Sequence, residues 1–168
     1  MQLSPELLSD SVLVVDDDVE ALEEMAEALQ SYGLTVHTAS NESMALKLAK
    51  EHRPKFIITD YLLDGYTGTE VVSAIHKFLP GTQTIIISAV EGLSRLVTTV
   101  NSDIITVLKK PFSIDLLSLF ICNKLVQKHQ QFRPSNSNAY FLEYEQMTTL
   151  FNCKRQASHT LSRLLVYA

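Results

Sequence analysis

The sequence has few cysteines and few glycines, the residues that form crosslinks, bind structural zinc or cradle nucleotide phosphates. It has no tryptophan and only two cysteines, Cys122 and Cys153, which lie far apart and have no second Cys or His at metal-ligand spacing. This excludes a disulfide framework and argues against a structural zinc site, and we expect both thiols to be reduced. The five glycines form neither a phosphate-binding P-loop nor a G-x-G-x-x-G motif, which argues against a nucleotide-binding enzyme.

Long apolar runs are also lacking. No stretch reaches the roughly 18 apolar residues of a membrane span, and the first residues have neither the basic nor the apolar region of a secretory signal. We therefore expect a cytoplasmic protein that makes no membrane contact. The 168 residues, of which 46% are hydrophobic and 20% charged, are typical of one soluble globular domain with a small appendage.

Charge is unevenly distributed along the chain. The net charge is −5, but residues 1–129 hold 17 acidic and 10 basic side chains, whereas residues 130–168 hold 2 acidic and 4 basic ones. An acidic body has no general electrostatic attraction for nucleic acid or for an anionic membrane surface. Any contact with DNA would therefore have to come through the slightly basic tail.

Five short runs of β-branched and apolar residues predict buried strands. They comprise residues 12–15, 34–39, 56–59, 84–87 and 104–108. Segments with apolar residues at helical spacing separate these runs, and successive strand ends lie one strand plus one helix apart. Such alternation requires parallel strands joined by right-handed crossovers, with helices on both faces of the sheet. We predict a doubly wound α/β domain over residues 11–129, preceded by a short lead, residues 1–10.

The pattern changes after this domain. Residues 130–138 are polar and contain a proline, which is typical of a linker, and residues 139–168 predict a short helical tail. One hypothesis is a helical hairpin that packs on the domain or on a second copy. The alternative is a minimal helix-turn-helix that binds DNA. Its DNA contacts would be Lys154, Arg155 and Arg163. A polar Ser158 at a position that normally packs as an apolar residue, together with the short length, favours the hairpin.

Polar side chains follow the carboxyl ends of four predicted strands. They are Asp16, Asp17 and Asp18 after the first, Asp60 after the third, Ser88 after the fourth, and Lys109 and Lys110 after the fifth. In an open parallel sheet these ends converge on one crevice. Clustered carboxylates need a cation, and hard oxygen ligands suit Mg²⁺. A hydroxyl and an ammonium group beside it would bind phosphoryl oxygens. We expect Asp18 to complement a helix dipole, and Lys110 rather than Lys109 to face the site.

Four short runs resemble the receiver domain of two-component response regulators, with the resemblance covering about residues 11–129. The runs are Val14-Val15-Asp16-Asp17, Ile57-Ile58-Thr59-Asp60, Ile87-Ser88-Ala89 and Lys110-Pro111-Phe112. Each run alone is a weak signal, but all four in this order, each at a strand end, are specific. The resemblance implies a flavodoxin-like, five-stranded parallel sheet of order 2-1-3-4-5.

The resemblance also implies roles for the carboxylates. Asp60 would be the phosphoacceptor, and the donor would be a phosphohistidine on a sensor histidine kinase or phosphotransfer protein. Asp17, Asp60 and the main-chain carbonyl of Leu62 would bind Mg²⁺ directly, and Asp16 would act mostly through a bound water. The chain would then be a signalling protein of a phosphorelay rather than an enzyme.

The remaining implied features lie at later strand ends. Ser88 and Lys110 would contact the phosphoryl oxygens, and the bond between Lys110 and Pro111 would be cis. A homodimer would form through the face of the predicted fourth helix, the fifth strand and the fifth helix. Exposed residues on that face would include Arg95, Thr99 and Ser102.

The sequence departs from the receiver pattern at several positions. Val107 stands where receivers usually carry the aromatic switch residue, so a switch by an inward-swinging ring is in doubt. Asp64 replaces a common proline, which predicts a longer, turn-rich loop with Thr67 as a helix cap. Leu62 and Val90 flank the expected path of the hydrolytic water and cannot hydrogen-bond it, which predicts a long-lived phosphoryl group.

An enzymatic alternative is a haloacid-dehalogenase-type phosphatase that uses Mg²⁺. The spacing of Asp16 and Asp18 after a strand satisfies part of that family's pattern. That family also needs an acidic pair after the lysine, and only Asp115 follows Lys110 closely. Since Asp60 would have no role in that enzyme, the receiver is the preferred interpretation.

Overall fold

The computed structural model describes residues 11–91, 93 and 104–131. The N-terminal lead, most of the predicted fourth helix and residues 132–168 lie outside the described residues. The part of the predicted linker beyond Gln131, the helical tail and the proposed DNA contacts Lys154, Arg155 and Arg163 therefore remain predictions, as do Arg95, Thr99 and Ser102 on the dimer face.

Five parallel strands form the central sheet. In chain order they are β1 (Ser11–Val15), β2 (Thr35–Ala39), β3 (Phe56–Asp60), β6 (Gln83–Ser88) and β7 (Ile104–Lys109), with a separate small hairpin of β4 (Leu62–Leu63) and β5 (Tyr66–Thr67). The spatial order of the large sheet is β2-β1-β3-β6-β7. This is the predicted doubly wound order, so the fold prediction is confirmed.

Helices connect and follow the strands. They are α1 (Val19–Ser31), α2 (Glu42–His52), α3 (Gly68–His76) and α4 (Ile114–Gln131). The last helix ends at Gln131, so it includes residues 130 and 131, which were predicted to begin the linker. None of the helices that the structure describes is long and apolar enough to cross a membrane.

The core has two halves because successive residues of each strand point to opposite faces of the sheet. On one face, Val12 and Val14 of β1 pack with α1 and α4. On the other face, Leu13 and Val15 pack with α2 and α3. Strand β1 is thus buried on both faces, which explains why it is a continuous apolar run rather than an alternating one.

Two burial predictions are wrong in detail. Strand β2 was expected to be buried, but Thr35 is exposed, residues 36–38 are half-buried and only Ala39 is fully buried. The reason is its position at the edge of the sheet, where none of the described strands adjoins it on one side. Met44, which the helical spacing of the apolar residues Met44, Ala45, Leu48 and Ala49 predicts on the inward face of α2, is 43% exposed because it lies in the first turn of that helix.

The connection between β3 and α3 contains a feature that the sequence analysis did not anticipate. It folds into a two-residue hairpin in which Leu63 pairs with Tyr66. The turn residues are Asp64 and Gly65, and Gly65 has a φ of 83°, a left-handed conformation that glycine adopts without strain. An Asp-Gly pair between apolar residues is a strong hairpin signal, so this hairpin could have been predicted from the sequence.

Candidate functional site

Three carboxylates meet at the carboxyl ends of two neighbouring strands. Asp16 and Asp17 follow β1, Asp60 ends β3, and these strands pair directly, with Val15 opposite Thr59. One carboxylate oxygen from each of the three residues lies within 4.8 Å of the others. The predicted convergence of these aspartates at one crevice is what the structure contains.

Asp16 is the most buried member of this acidic cluster, with 8% of its surface exposed. Its Oδ1 accepts a hydrogen bond from the main-chain N–H of Asp18 at 3.0 Å. Burial raises the pKa of the Asp16 carboxyl above its ordinary value, and the charges of Asp60 and Asp17 add to this, while the Asp18 N–H and the Lys110 ammonium act against it. An additional cation would therefore stabilise the charged form of the cluster.

Lys110 provides the positive charge of the site. Its Nζ lies 3.2 Å from Asp60 Oδ2 and 3.9 Å from Asp16 Oδ2. The neighbouring Lys109 instead forms an exposed ion pair with Glu91. Lys110 thus lies beside the acidic cluster and Lys109 does not, as the alternation of side chains along β7 predicts, and the role of Lys110 in the chemistry remains a prediction.

Backbone contacts hold the proposed phosphoacceptor in place. The N–H of Tyr61 donates to Asp60 Oδ1 at 2.9 Å, and it also donates to the main-chain carbonyl of Ile87 at 2.8 Å. The hydroxyl of Thr59 donates to the Asp60 carbonyl oxygen at 2.9 Å. Asp60 is thus fixed by groups that precede and follow it in the chain.

Gly68 is a positioning residue that the sequence analysis missed. Its N–H donates to the carbonyl of Tyr61 at 2.9 Å, which closes the hairpin loop onto the end of β3. A Cβ at this position would overlap the Asp60 carbonyl oxygen and lie 2.6 Å from Thr59 Oγ1. Glycine is therefore required for the start of α3 to approach the phosphoacceptor this closely. Its sequence signal was its place at the predicted start of the third helix.

Side-chain caps begin the two helices nearest the site. Asp18 is the N-cap of α1 and accepts from the N–H groups of Glu20 and Ala21. Thr67 is the N-cap of α3 and forms a reciprocal capping box with Glu70. The helix-end role expected for Asp18 and the cap expected at Thr67 are both present.

Ser88 is buried at the end of β6, and its Oγ accepts a hydrogen bond from the N–H of Val90 at 2.9 Å. Since that bond uses a lone pair of the oxygen, the hydroxyl proton can still bind a phosphoryl oxygen.

The other predicted positions around the site are also described. Leu62 and Val90 are 57% and 42% exposed. The Lys110–Pro111 peptide bond is cis, and Val107 is partly buried against Ile86 and Leu93.

The donor set of the acidic cluster fits a hard divalent cation. Its side chains offer carboxylate oxygens alone, without sulfur or imidazole, which is the set that Mg²⁺ prefers. The three carboxylates also outnumber the single ammonium of Lys110, so a further positive charge would balance them. The main-chain carbonyl of Leu62, two residues after Asp60, remains a predicted fourth protein ligand.

Comparisons with known proteins agree with this arrangement. A family model described as "Response regulator receiver domain" matches residues 12–121. The chain is 26% identical over 156 residues to the acid tolerance regulatory protein ActR of Rhizobium meliloti, an alignment that covers 92% of this chain and 79% of that protein.

Two solved structures are also similar. A CheY-like receiver domain protein from Methanospirillum hungatei has a TM-score of 0.65 and 24% identity, covering 73% of this chain and 98% of that one, and it supports the fold alone. The response regulator TrrA from Thermotoga maritima was solved in complex with Mg²⁺ and BeF. It has a TM-score of 0.60 and 28% identity, and the match covers 69% of this chain and 98% of that one.

Proposed function

Because the chain belongs to the response regulator receiver domain family through residues 12–121, we propose that Asp60 is its phosphoacceptor and that a phosphohistidine is the donor. The observation that carries this assignment is the contact of Asp60 with both the carboxylates of Asp16 and Asp17 and the ammonium of Lys110. Of the two carboxylates near Lys110 Nζ, that of Asp60 is the nearer, at 3.2 Å against 3.9 Å for Asp16.

The transfer forms a bond between one Asp60 carboxylate oxygen and phosphorus while the bond between phosphorus and the donor imidazole nitrogen breaks. The leaving nitrogen keeps the electron pair, and the imidazole departs neutral because its other nitrogen carries a proton. Lys110 and Ser88 hold the phosphoryl oxygens as charge spreads over them. Asp16, Asp17 and Asp60 would hold a divalent cation, which would supply further positive charge to the transferred group.

The assignment is tested by intact-mass measurement after incubation with acetyl phosphate and Mg²⁺. We expect the wild type to gain the mass of one phosphoryl group and to lose it in hydroxylamine, which cleaves acyl phosphates. Asp60→Asn should gain nothing, and Asp64→Asn, which removes an exposed carboxylate four residues away, should react like the wild type. A phosphoryl adduct that persists in Asp60→Asn would overturn the assignment.

The phosphoryl group is proposed to be long-lived. Leu62 and Val90 are exposed aliphatic residues, and neither can orient an attacking water by hydrogen bonding. The decay of the acyl phosphate should therefore be slow, and Val90→Asn should accelerate it. Leu116→Asn, at an exposed leucine in α4, is the matched control and should leave the decay rate of the acyl phosphate unchanged. A wild-type half-life of seconds would contradict this proposal.

Activation is proposed to act through protein contacts, including a homodimer through the face that contains β7 and α4. Leu116 and Phe120, one turn apart on α4, are 65% and 36% exposed and offer apolar area on this face. Light scattering with and without beryllofluoride and Mg²⁺ is the test. A mass that doubles on activation in the wild type, but not in Leu116→Glu, is expected.

The second candidate function is a DNA-binding regulator that uses the tail. The alignment with ActR covers 92% of the chain, which is more than residues 1–131 contain, so it extends into the tail. A DNA mobility shift that weakens with salt and is lost in Lys154→Ala and Arg155→Ala would support this alternative. Absence of any shift would favour the hairpin that acts through contacts.

A further inference from the structure

Tyr61 links the proposed phosphoacceptor to a small apolar cluster. Its main-chain N–H is shared between two acceptors, the Asp60 Oδ1 at 2.9 Å and the carbonyl oxygen of Ile87 at 2.8 Å. Its own carbonyl accepts from Gly68 at 2.9 Å. Both polar groups of the Tyr61 backbone are therefore bonded to elements that form the site.

The side chain of Tyr61 packs on residues outside the acidic cluster. Tyr61 and Val107 are partly buried against the buried Ile86 and Leu93, and these four residues are called the Tyr61 cluster below. Ile86 and Val107 are paired neighbours on β6 and β7. Since position 107 is a valine, the aromatic ring in the cluster is that of Tyr61.

We propose that Tyr61 is a positioning residue that transmits phosphorylation of Asp60 to Leu93 and β7. The inference rests on the proposed phosphorylation of Asp60. It assigns two parts to one residue: the shared N–H senses the charge state of the Asp60 carboxyl, and the ring carries the resulting shift to the Tyr61 cluster.

The chemical basis is a change in one of the two acceptors of the Tyr61 N–H. Before transfer, Oδ1 belongs to a carboxylate and accepts a charge-assisted hydrogen bond. The other oxygen, Oδ2, faces Lys110 at 3.2 Å. When Oδ2 bonds to phosphorus, Oδ1 becomes the carbonyl oxygen of an acyl phosphate and a weaker acceptor. The N–H then favours the Ile87 carbonyl, and reorientation of this peptide moves the attached ring.

The ring rather than the hydroxyl carries the coupling. Within residues 11–91, 93 and 104–131, the Tyr61 hydroxyl has no hydrogen-bond partner, so its contacts in the cluster are those of the ring. Replacing Tyr61 by Phe should therefore preserve the coupling. Replacing it by Leu should keep an apolar side chain but lose most of the ring's reach to Val107 and Leu93.

The experiment measures methyl NMR signals of Leu93 and Val107 with and without beryllofluoride and Mg²⁺, in parallel with acetyl phosphate labelling. In Tyr61→Leu, we expect the activation shifts to fall to less than about half of those of the wild type when both proteins are compared at the same extent of beryllofluoride loading. Tyr61→Phe should retain the shifts. Phe78→Leu, which removes a partly buried ring from a separate cluster of the core, is the matched control and should also retain them.

Undiminished shifts in Tyr61→Leu would overturn the inference even if labelling is normal. A wild type that accepts no phosphoryl group would instead overturn the proposed function of Asp60, and this inference with it. Should Tyr61→Leu fail to fold, ring-labelled tyrosine in the wild type decides the matter. The Tyr61 ring signals, assigned with Tyr61→Phe, must then shift on activation, and signals that stay in place contradict the relay.

Discussion

The two connections that bring carboxylates to the site position them in different ways. Between β1 and α1, residues 16–18 suffice, and local hydrogen bonds fix them: Asp18 donates to Asp16 and caps α1. Between β3 and α3, residues 61–67 fold into a hairpin that returns to the strand, and Gly68 packs against the Asp60 carbonyl. The side-chain bonds of the first connection join residues two or three apart, and its Asp16 N–H also donates to the Ala39 carbonyl at 3.2 Å. The second connection is held by a close approach of backbone to backbone.

This difference means that the two connections should respond differently to substitution. A local hydrogen bond costs about 1 kcal/mol when it is lost, since water replaces the partner. A close backbone contact has no such replacement, because an added atom must displace the helix or the strand. The β3–α3 connection is therefore expected to be the more sensitive of the two.

The largest effect is expected for Gly68→Ala. Its Cβ would overlap the Asp60 carbonyl oxygen, and overpacking of this kind should lower the free energy of unfolding by about 3 kcal/mol. Urea denaturation measures this loss, and acetyl phosphate labelling should slow as well because Asp60 is displaced.

Gly65→Ala is the control for that substitution. A Cβ there meets no atom within 4 Å, and only the φ of 83° opposes it, so a loss of about 1 kcal/mol is expected. If Gly68→Ala were no more harmful than Gly65→Ala, the close approach would not be what positions Asp60.

A smaller effect is expected for Asp18→Ala in the first connection. The side chain accepts from Glu20 N–H at 2.9 Å and Ala21 N–H at 3.3 Å, and loss of such a cap costs about 1 kcal/mol. Because the bond from Asp18 N–H to Asp16 uses the main chain, the labelling rate should not change. A large loss of labelling would instead point to Asp18 as a direct participant in the chemistry.

Thr67→Ala should destabilise the protein less than Asp18→Ala. Its hydroxyl accepts from Glu70 N–H at 3.4 Å, a long bond, and α3 is also held at Gly68. A loss of about 0.5 kcal/mol is expected in thermal or urea unfolding. A loss larger than that of Asp18→Ala would show that the second connection, too, depends mainly on its cap.

Asp16→Asn should act in the opposite direction. The folded-state pKa of Asp16 is raised by burial above its unfolded value of 3.8, so the folded protein binds more protons than the unfolded chain between the two values. This contribution to stability is present at low pH and is lost as pH rises through the folded pKa. At neutral pH with chelator, Asp16→Asn should therefore raise the unfolding midpoint, and its amide oxygen can still accept the Asp18 bond.

Added Mg²⁺ tests whether the higher unfolding midpoint of Asp16→Asn comes from the loss of a cation-binding carboxylate. It should stabilise the wild type more than Asp16→Asn, because the variant has lost one carboxylate of the cluster. Equal stabilisation of both proteins would mean that Asp16 contributes nothing to binding the cation.

Most of the architecture could be predicted because the signals are local. The strands were expected from apolar runs such as 56–59, and the parallel order from their spacing and from the family resemblance. The choice of Lys110 over Lys109 needed only the alternation of side chains along a strand. Each of these features follows from a short stretch of neighbouring residues, so it can be predicted from the sequence alone.

Other features could not be predicted because they join residues distant in the chain. The Tyr32 hydroxyl donates to Asp115 at 2.8 Å across 83 positions, and the pKa of Tyr32 rises to about 12 through burial and this acceptor. His37 and His52, which looked scattered in the sequence, stack with ring centroids 3.7 Å apart. No periodicity signals such pairs.

The sequence by itself determined which residue types stand at the strand ends, and hence the acidic cluster, the hydroxyl and the ammonium group. Periodicity and parallel pairing are sufficient for that, because the carboxyl ends of parallel strands all lie at the same edge of the sheet. Only the tertiary structure decided that Gly68 closes on Asp60 and that the Tyr61 ring occupies the cluster beside Val107. Both depend on how tightly a helix and a hairpin pack on the sheet, a property of distances between elements rather than of order along the chain.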